Sequence, residues 1–166
     1  MTKAVVIDIV PSPYLRVTRE FATEYFHWFF LIQPAPFPET LIGNSAEFYL
    51  RSRFLRQNTA SSVFTPEAVA EYLRCFKDPA TIHATCEDYR AGATIDMDHA
   101  AQDGEQKVMC PLLVLWGERG TVGRLEPVMG IWREKAANVT GKSLPAGHFL
   151  PEEVPEETLA ALQAFL

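Results

Sequence analysis

Hydrophobic residues in this sequence occur in two patterns, as short unbroken runs and as longer periodic stretches. Three runs lie at 4–10, 112–117 and 139–144, and the third is more polar than the other two. Unbroken runs of four to eight aliphatic residues are typical of strands that are buried on both faces of a parallel sheet. We therefore predict three strands.

The periodic stretches, two of which begin with a capping residue followed by proline, predict helices. Helices are predicted at 16–31, 45–56, 65–76, 78–99, 124–137 and 155–166. The stretch 33–38 holds three prolines and cannot continue a helix, because proline lacks a backbone donor. A polar loop is predicted at 58–64, and Leu159, Leu162 and Leu166 should share one face of the last helix.

The order of these elements predicts an α/β fold. Strands that alternate with helices form parallel sheets with right-handed crossovers. A sheet of only three strands leaves the apolar edge of the first strand exposed, which favours pairing with another chain. We expect this edge to be covered, either by a complementing chain or by a second copy.

Composition narrows the class of protein. The chain has 166 residues, of which 48% are hydrophobic and 22% are charged, as is ordinary for a globular domain. A net charge of −6 argues against nucleic acid or an anionic membrane as a partner. Three cysteines without a CxxC spacing indicate reduced thiols and hence a cytoplasmic protein.

Asp8 and His148 are the first candidates for catalysis. Asp8 lies at the end of the first strand and His148 lies in the loop after the third, so both should reach the same rim of a parallel sheet. A histidine oriented by a carboxylate can act as a general base. The alternatives are an aspartate that caps the turn before Pro11 and a loop histidine that bonds the backbone.

An aromatic segment supplies the second group of candidates. His27 and Trp28 carry N–H groups that can donate to a halide or an oxyanion, and the phenol of Tyr89 could add a third donor. The alternative is that these rings only pack in a core. Neither the histidines nor the cysteines have metal-ligand spacing, so we expect no metal and no cofactor.

The sequence also lacks GxSxG and GxDxG, the strand-to-helix turns that expose a serine or aspartate nucleophile. On several motifs it nevertheless resembles the haloacetate (fluoroacetate) dehalogenase family of α/β-hydrolases. The motifs, in chain order, are Asp8-Ile9-Val10-Pro11, Tyr25-Phe26-His27-Trp28-Phe29, Gln33-Pro34-Ala35-Pro36-Phe37-Pro38, Asp78-Pro79-Ala80-Thr81-Ile82-His83, Asp88-Tyr89-Arg90-Ala91-Gly92, Leu115-Trp116-Gly117 and Pro145-Ala146-Gly147-His148-Phe149-Leu150-Pro151-Glu152-Glu153.

The resemblance implies the carboxyl-terminal part of an α/β-hydrolase fold, at 1–13 and 108–166, with an inserted helical lid at 14–107. It implies a small haloacid substrate, which an aspartate attacks to displace halide and form an ester that water then hydrolyses. His148 would activate the water, with Asp8 as its acid. His27, Trp28 and Tyr89 would bind the departing halide.

The family's nucleophile, substrate-binding arginines and oxyanion loop precede the strand that begins this sequence, and none has a counterpart here. We expect a chain that starts at the sixth strand of eight and is inactive by itself. Two other hypotheses remain open. One is half of a serine or epoxide hydrolase, and the other is a non-enzymatic remnant that dimerises or binds a partner.

Overall fold

The computed structural model describes residues 1–56 and 63–166, so most of the polar loop predicted at 58–64 lies outside the described residues. The strands are β1 (Ala4–Ile7), β2 (Leu112–Gly117) and β3 (Val139–Leu144). The helices are α1 (Arg19–Glu24), α2 (Phe26–Leu31), α3 (Phe37–Gly43), α4 (Ala46–Arg56), α5 (Pro66–Phe76), α6 (Pro79–Ala93), α7 (Ile95–Asp103), α8 (Thr121–Leu125), α9 (Val128–Lys135), α10 (Leu150–Glu153) and α11 (Pro155–Phe165).

The chain divides into two compact units. The sheet unit consists of Met1–Leu15 and Gln102–Leu166, and it contains all three strands listed above. The helical unit consists, among the described residues, of Arg16–Arg56 and 63–101. No helix within the described ranges is both long and apolar enough to cross a membrane.

The sheet unit confirms the prediction of three parallel strands. Their order is β1-β2-β3, with Ala4 opposite Leu112 and Leu112 opposite Val139. β1 ends at Ile7 and not at residue 10, because Asp8 has a φ of 50° and turns the chain out of the extended conformation. From the strand order, β2 is the central strand of the described sheet and β1 forms one of its edges.

The core of the sheet unit lies around β2 and the chain that follows β3. Its buried members are Leu113, Leu115, Leu144, Ala146, Leu150 and Ala161. The helix predicted at 124–137 is two helices, α8 and α9, with Pro127 between them. Proline restricts the residue before it to extended conformations, which explains the interruption.

Of the predicted apolar face of the last helix, only Leu162 packs against the core of the sheet unit. Leu159 is 54% exposed and Leu166 is 75% exposed, whereas Thr158 and Ala161 are buried. The hydroxyl of Thr158 donates to the carbonyl oxygen of Leu150 at 3.1 Å, so the side of α11 that bears these short side chains faces the core.

The helical unit has two helices that begin where the sequence predicts. The side chain of Thr65 accepts from the backbone N–H of Ala68 at the start of α5. Asp78 accepts from the N–H of Ala80 at the start of α6. These bonds satisfy donors that the first turn of a helix leaves free.

Other helices of this unit differ from the prediction. The stretch 16–31 forms α1 and α2, which are separated at Tyr25, and 78–99 forms α6 and part of α7, separated at Thr94. α3 was not predicted, and it begins directly after the cis peptide bond between Ala35 and Pro36. The core of the helical unit is formed by Leu31, Ile42, Ala46, Ile82 and Cys86.

Candidate active site

Asp8 lies at the carboxyl end of β1, in the sheet unit. Its side chain is only 1% exposed. One carboxylate oxygen, Oδ1, accepts from the backbone N–H of Gly117 at 3.0 Å. The backbone N–H of Asp8 donates to the carbonyl oxygen of Leu115. A buried carboxylate is costly unless it is hydrogen-bonded, and these contacts meet part of that need. The aspartate is thus bonded to the end of β2 and is not a cap of the turn before Pro11.

His148 completes the hydrogen bonding of this carboxylate. Its Nδ1 lies 2.6 Å from Asp8 Oδ2, and its side chain is 33% exposed. Since an ionised carboxylate only accepts, we assign the ring proton to Nδ1, which leaves Nε2 with a lone pair. The structure therefore brings the two sequence candidates together in the arrangement that prepares a histidine to act as a general base.

Gly117, at the end of β2, allows the His148 loop to approach. A Cβ placed on Gly117 would lie 1.8 Å from the carbonyl oxygen of Gly147 and 2.6 Å from that of Ala146. No side chain fits at these distances. The sequence shows the Leu-Trp-Gly ending of the strand, but it does not show that the glycine is required for this close approach.

The aromatic candidates form a separate cluster within the helical unit. The ring of Tyr89, on α6, lies 5.4 Å from the ring of His27 and 5.3 Å from that of Trp28, both on α2. Burial raises the pKa of the Tyr89 phenol, and the nearby positive charge of Arg53 acts in the opposite direction. The phenol is therefore neutral at physiological pH and can donate. Trp28 also packs on Phe21, so the cluster belongs to the aromatic core as well.

Arg53, on α4, is a member of this cluster that the sequence did not reveal. Its Nη2 lies 3.2 Å from Nε2 of His27, and its guanidinium lies over the ring of Phe26. Arginine has donors only, so Nε2 of His27 is the acceptor and the ring proton is on Nδ1. Any N–H that His27 offers to an anion is then Nδ1–H. Arg53 and His27 are 26 positions apart in the chain, so no spacing rule could have predicted this contact.

A third group of polar residues lies elsewhere in the helical unit. Ligand atoms of Glu39, His83 and Glu87 lie within 4.8 Å of one another, although their sequence spacing indicated no metal site. The guanidinium of Arg90 already lies among them, 2.8 Å from Glu39 Oε1 and 2.5 Å from Glu87 Oε1. The hydrogen bonds from this guanidinium are the main reason that the pKa of Glu39 is lowered to about 2. The positive charge that balances these carboxylates is thus supplied by the chain itself.

Comparison with known proteins shows extensive similarity over most of the chain. It is 40% identical over 164 residues to a fluoroacetate dehalogenase of Burkholderia sp, a match that covers 97% of this chain and 54% of that protein. It is 35% identical over 120 residues to a soluble epoxide hydrolase of Corynebacterium sp. (strain C12), covering 70% of this chain and 40% of that protein. No family model matches the sequence.

A solved structure agrees with these matches. A provisionally assigned α/β hydrolase from Nostoc sp PCC 7120 superposes with a TM-score of 0.93 and 55% identity. The superposition covers 99% of this chain and 57% of that one. The chain therefore spans about half the length of the relatives that it matches.

Proposed function

In fold and sequence the chain resembles the carboxyl-terminal half of α/β-hydrolases of the haloacetate dehalogenase family, and we propose that it performs the hydrolytic half of such a reaction. The observation that carries this proposal is the bond between the buried Asp8 and His148. The helical unit is the lid of the enzyme in this proposal, and the substrate is a small haloacid.

The reaction has two steps, and this chain acts mainly in the second. A carboxylate nucleophile attacks the α-carbon of the haloacetate, so that a carbon–oxygen bond forms and the halide leaves with the electrons of the carbon–halogen bond. Nε2 of His148 then takes a proton from water as the water oxygen attacks the carbonyl carbon of the resulting ester. The tetrahedral intermediate collapses with cleavage of the ester carbon–oxygen bond, so that the hydroxyacid leaves with the proton from the imidazolium and the nucleophile carboxylate is restored. Asp8 stabilises the imidazolium that forms.

The nucleophile must come from outside these 166 residues. The sequence contains no GxSxG or GxDxG turn, and a histidine–acid pair without a nucleophile cannot displace halide from carbon. We therefore propose that the 166 residues by themselves have negligible turnover. The edge of β1 that pairs with no other strand of the described sheet is the surface at which a complementing sheet would pair.

The halide is the ligand that we assign to the cluster of His27, Trp28 and Tyr89. Each ring carries one N–H or O–H donor, and Arg53 adds a permanent positive charge beside them. Fluoride is strongly hydrated in water, and donors that are already oriented lower the barrier to its departure. This cluster is what favours a dehalogenase over an epoxide hydrolase, whose acid and histidine would look the same.

Halide release from fluoroacetate and chloroacetate tests the proposal. The purified chain is assayed alone and after mixing with the part of the Burkholderia fluoroacetate dehalogenase that the match leaves uncovered. We expect release only from the mixture. With His148→Gln the mixture should release about one halide per site and then stop, because the ester forms but is not hydrolysed. His99→Gln, on the exposed surface of α7, is the matched control and should turn over normally.

The other outcomes discriminate between the hypotheses. Release by the chain alone would mean that a nucleophile within these residues was missed. Hydrolysis of an epoxide by the mixture, without halide release, would favour the epoxide hydrolase. No turnover of either substrate, together with a stable dimer of the chain, would favour the non-enzymatic hypothesis.

Halide binding can be measured without turnover. The indole N–H signal of Trp28, identified by its loss in Trp28→Phe, should shift in NMR spectra as chloride is added. Arg53→Met should weaken that binding, whereas Arg51→Met should not. Arg51 lies on the same helix in an exposed ion pair with Glu47, so it is a matched control. Equal chloride affinity in the two variants would contradict the assignment of the cluster.

A further inference from the structure

Glu153, at the end of α10 in the sheet unit, makes contacts on both sides of His148. Its side chain is only 4% exposed. Oε2 accepts from the backbone N–H of Gly147 at 2.7 Å, and Oε1 accepts from the N–H of Phe149 at 3.1 Å. These are the two residues that flank His148 in the chain, so one carboxylate fixes the backbone before and after the histidine.

Arg119, just after β2, connects this carboxylate to the rest of the loop. Its Nη2 lies 3.3 Å from Oε2 of Glu153, and its Nη1 donates to the carbonyl oxygen of Pro145 at 2.6 Å. Its backbone N–H donates to the carbonyl of Ala146 at 2.9 Å. The loop from Pro145 to His148 is therefore bonded to the end of β2 and to the first turn after the loop.

We propose that Glu153 is a positioning residue for His148, holding the loop so that the imidazole meets Asp8. This role rests on the proposed function of His148 as the general base. Asp8 is fixed independently by Gly117. A hydrogen bond of 2.6 Å between Asp8 and His148 tolerates little displacement of the loop.

The competing interpretation is that Glu153 only stabilises the first turn of α10. The N–H of Phe149 is at the amino end of that helix, so its bond to Glu153 is a cap. The N–H of Gly147 lies outside the helix, and a cap does not require it. A readout at His148 itself separates the two roles.

Glu153→Gln tests the proposal with little change in shape. A glutamine has one carbonyl oxygen, so it can accept from only one of the two N–H groups, and its NH₂ repels the other. We expect the amide protons of Gly147 and Phe149 to exchange about 10- to 100-fold faster in at least one case. We also expect loss of the downfield NMR signal of the His148 Nδ1 proton. Glu152→Gln is the adjacent control, and it should leave the exchange rates of the two amides and the His148 Nδ1 proton signal unchanged.

The result that overturns the proposal is a folded Glu153→Gln protein in which the His148 Nδ1 proton signal and its exchange rate are unchanged. If that variant does not fold, Glu153→Asp decides, because its shorter side chain cannot reach both N–H groups. Retention of the His148 signal in a folded Glu153→Asp protein would again overturn the proposal. None of these signals requires turnover, so a failure of the dehalogenase hypothesis would leave the result interpretable.

Discussion

Replacing Arg90 with methionine should destabilise the helical unit. The guanidinium donates to the carbonyl oxygen of Gln33 from Nε at 2.9 Å and from Nη2 at 2.7 Å. It also donates to both oxygens of Glu39, at 2.8 and 3.1 Å, and to Glu87. It thereby joins α6 to α3 and to the chain just after α2. Methionine fills much of the same volume but donates to none of these acceptors.

The magnitude follows from how buried the pair is. Breaking a buried ion pair costs about 3–5 kcal/mol, and losing an exposed pair costs less than about 1 kcal/mol. The side chains of Arg90 and Glu39 are each 15% exposed, which places them between these cases. We therefore expect Arg90→Met to lower the free energy of opening of this unit by about 2–3 kcal/mol at pH 7.

The effect should also depend on pH. The pKa of Glu39 is lowered from 4.5 to about 2, chiefly by the hydrogen bonds from Arg90. A carboxyl group whose pKa is depressed in the folded state contributes stability above its unfolded pKa, and this stability is lost as the pH falls through the folded value. The difference between wild type and Arg90→Met should be constant from pH 7 to pH 5 and smaller at pH 3. The part of this difference that comes from the hydrogen bonds between Arg90 and the Gln33 carbonyl should remain at pH 3, because a carbonyl does not titrate.

Hydrogen exchange of the amides of α6, resolved by NMR, measures this opening without contributions from the sheet unit. The amides of β2 are the internal reference. Arg74→Met on α5 is the matched control, because Arg74 and Glu71 are 70% and 59% exposed and an ion pair between exposed side chains contributes little to stability. Equal effects of Arg90→Met and Arg74→Met, or a loss that does not change with pH, would refute this reasoning.

Two further predictions concern the sheet unit. Gly117→Ala should destabilise it by about 3 kcal/mol or more in urea titrations, since its Cβ would lie 1.8 Å from the Gly147 oxygen. Gly43→Ala, at the end of α3 in the helical unit, is the control: its Cβ would meet nothing within 4 Å, so it should stabilise the protein by up to about 1 kcal/mol. A loss like that of Gly117→Ala would contradict this reasoning. Asp8→Asn should move the ring proton of His148 from Nδ1 to Nε2, visible in ¹⁵N shifts, and lower hydrolysis by the mixture about 10⁴-fold. A proton that stays on Nδ1 would count against the assigned role.

Much of the fold could be predicted because it depends on local signals. The aliphatic runs predicted three parallel strands, and the capping residues Thr65 and Asp78 predicted the starts of α5 and α6. The interruptions at Tyr25 and Thr94 were missed, because hydrophobic periodicity continues through both positions. Where a helix breaks is decided by packing against neighbouring elements, which the pattern of one segment does not record.

The residues of the candidate site also fall into those that the sequence could predict and those that it could not. Asp8 and His148 could be paired from the sequence because the topology of a parallel sheet places the ends of its strands on one rim. Arg53 and Glu153 could not be found by this argument. Arg53 reaches His27 through the packing of two helices, and Glu153 reaches Gly147 through the course of a loop.

These differences indicate which substitutions are informative about function. A change at Asp8 or His148 removes a reacting group or its direct partner, so the loss of activity is expected on any hydrolase hypothesis. A change at Glu153 leaves both groups in place and alters only how the His148 backbone is held. If the His148–Asp8 bond weakens when Glu153 is replaced, the histidine needs a fixed backbone as well as an acidic partner. If the bond persists, Asp8 alone orients the imidazole and the conformation of the loop follows from that bond.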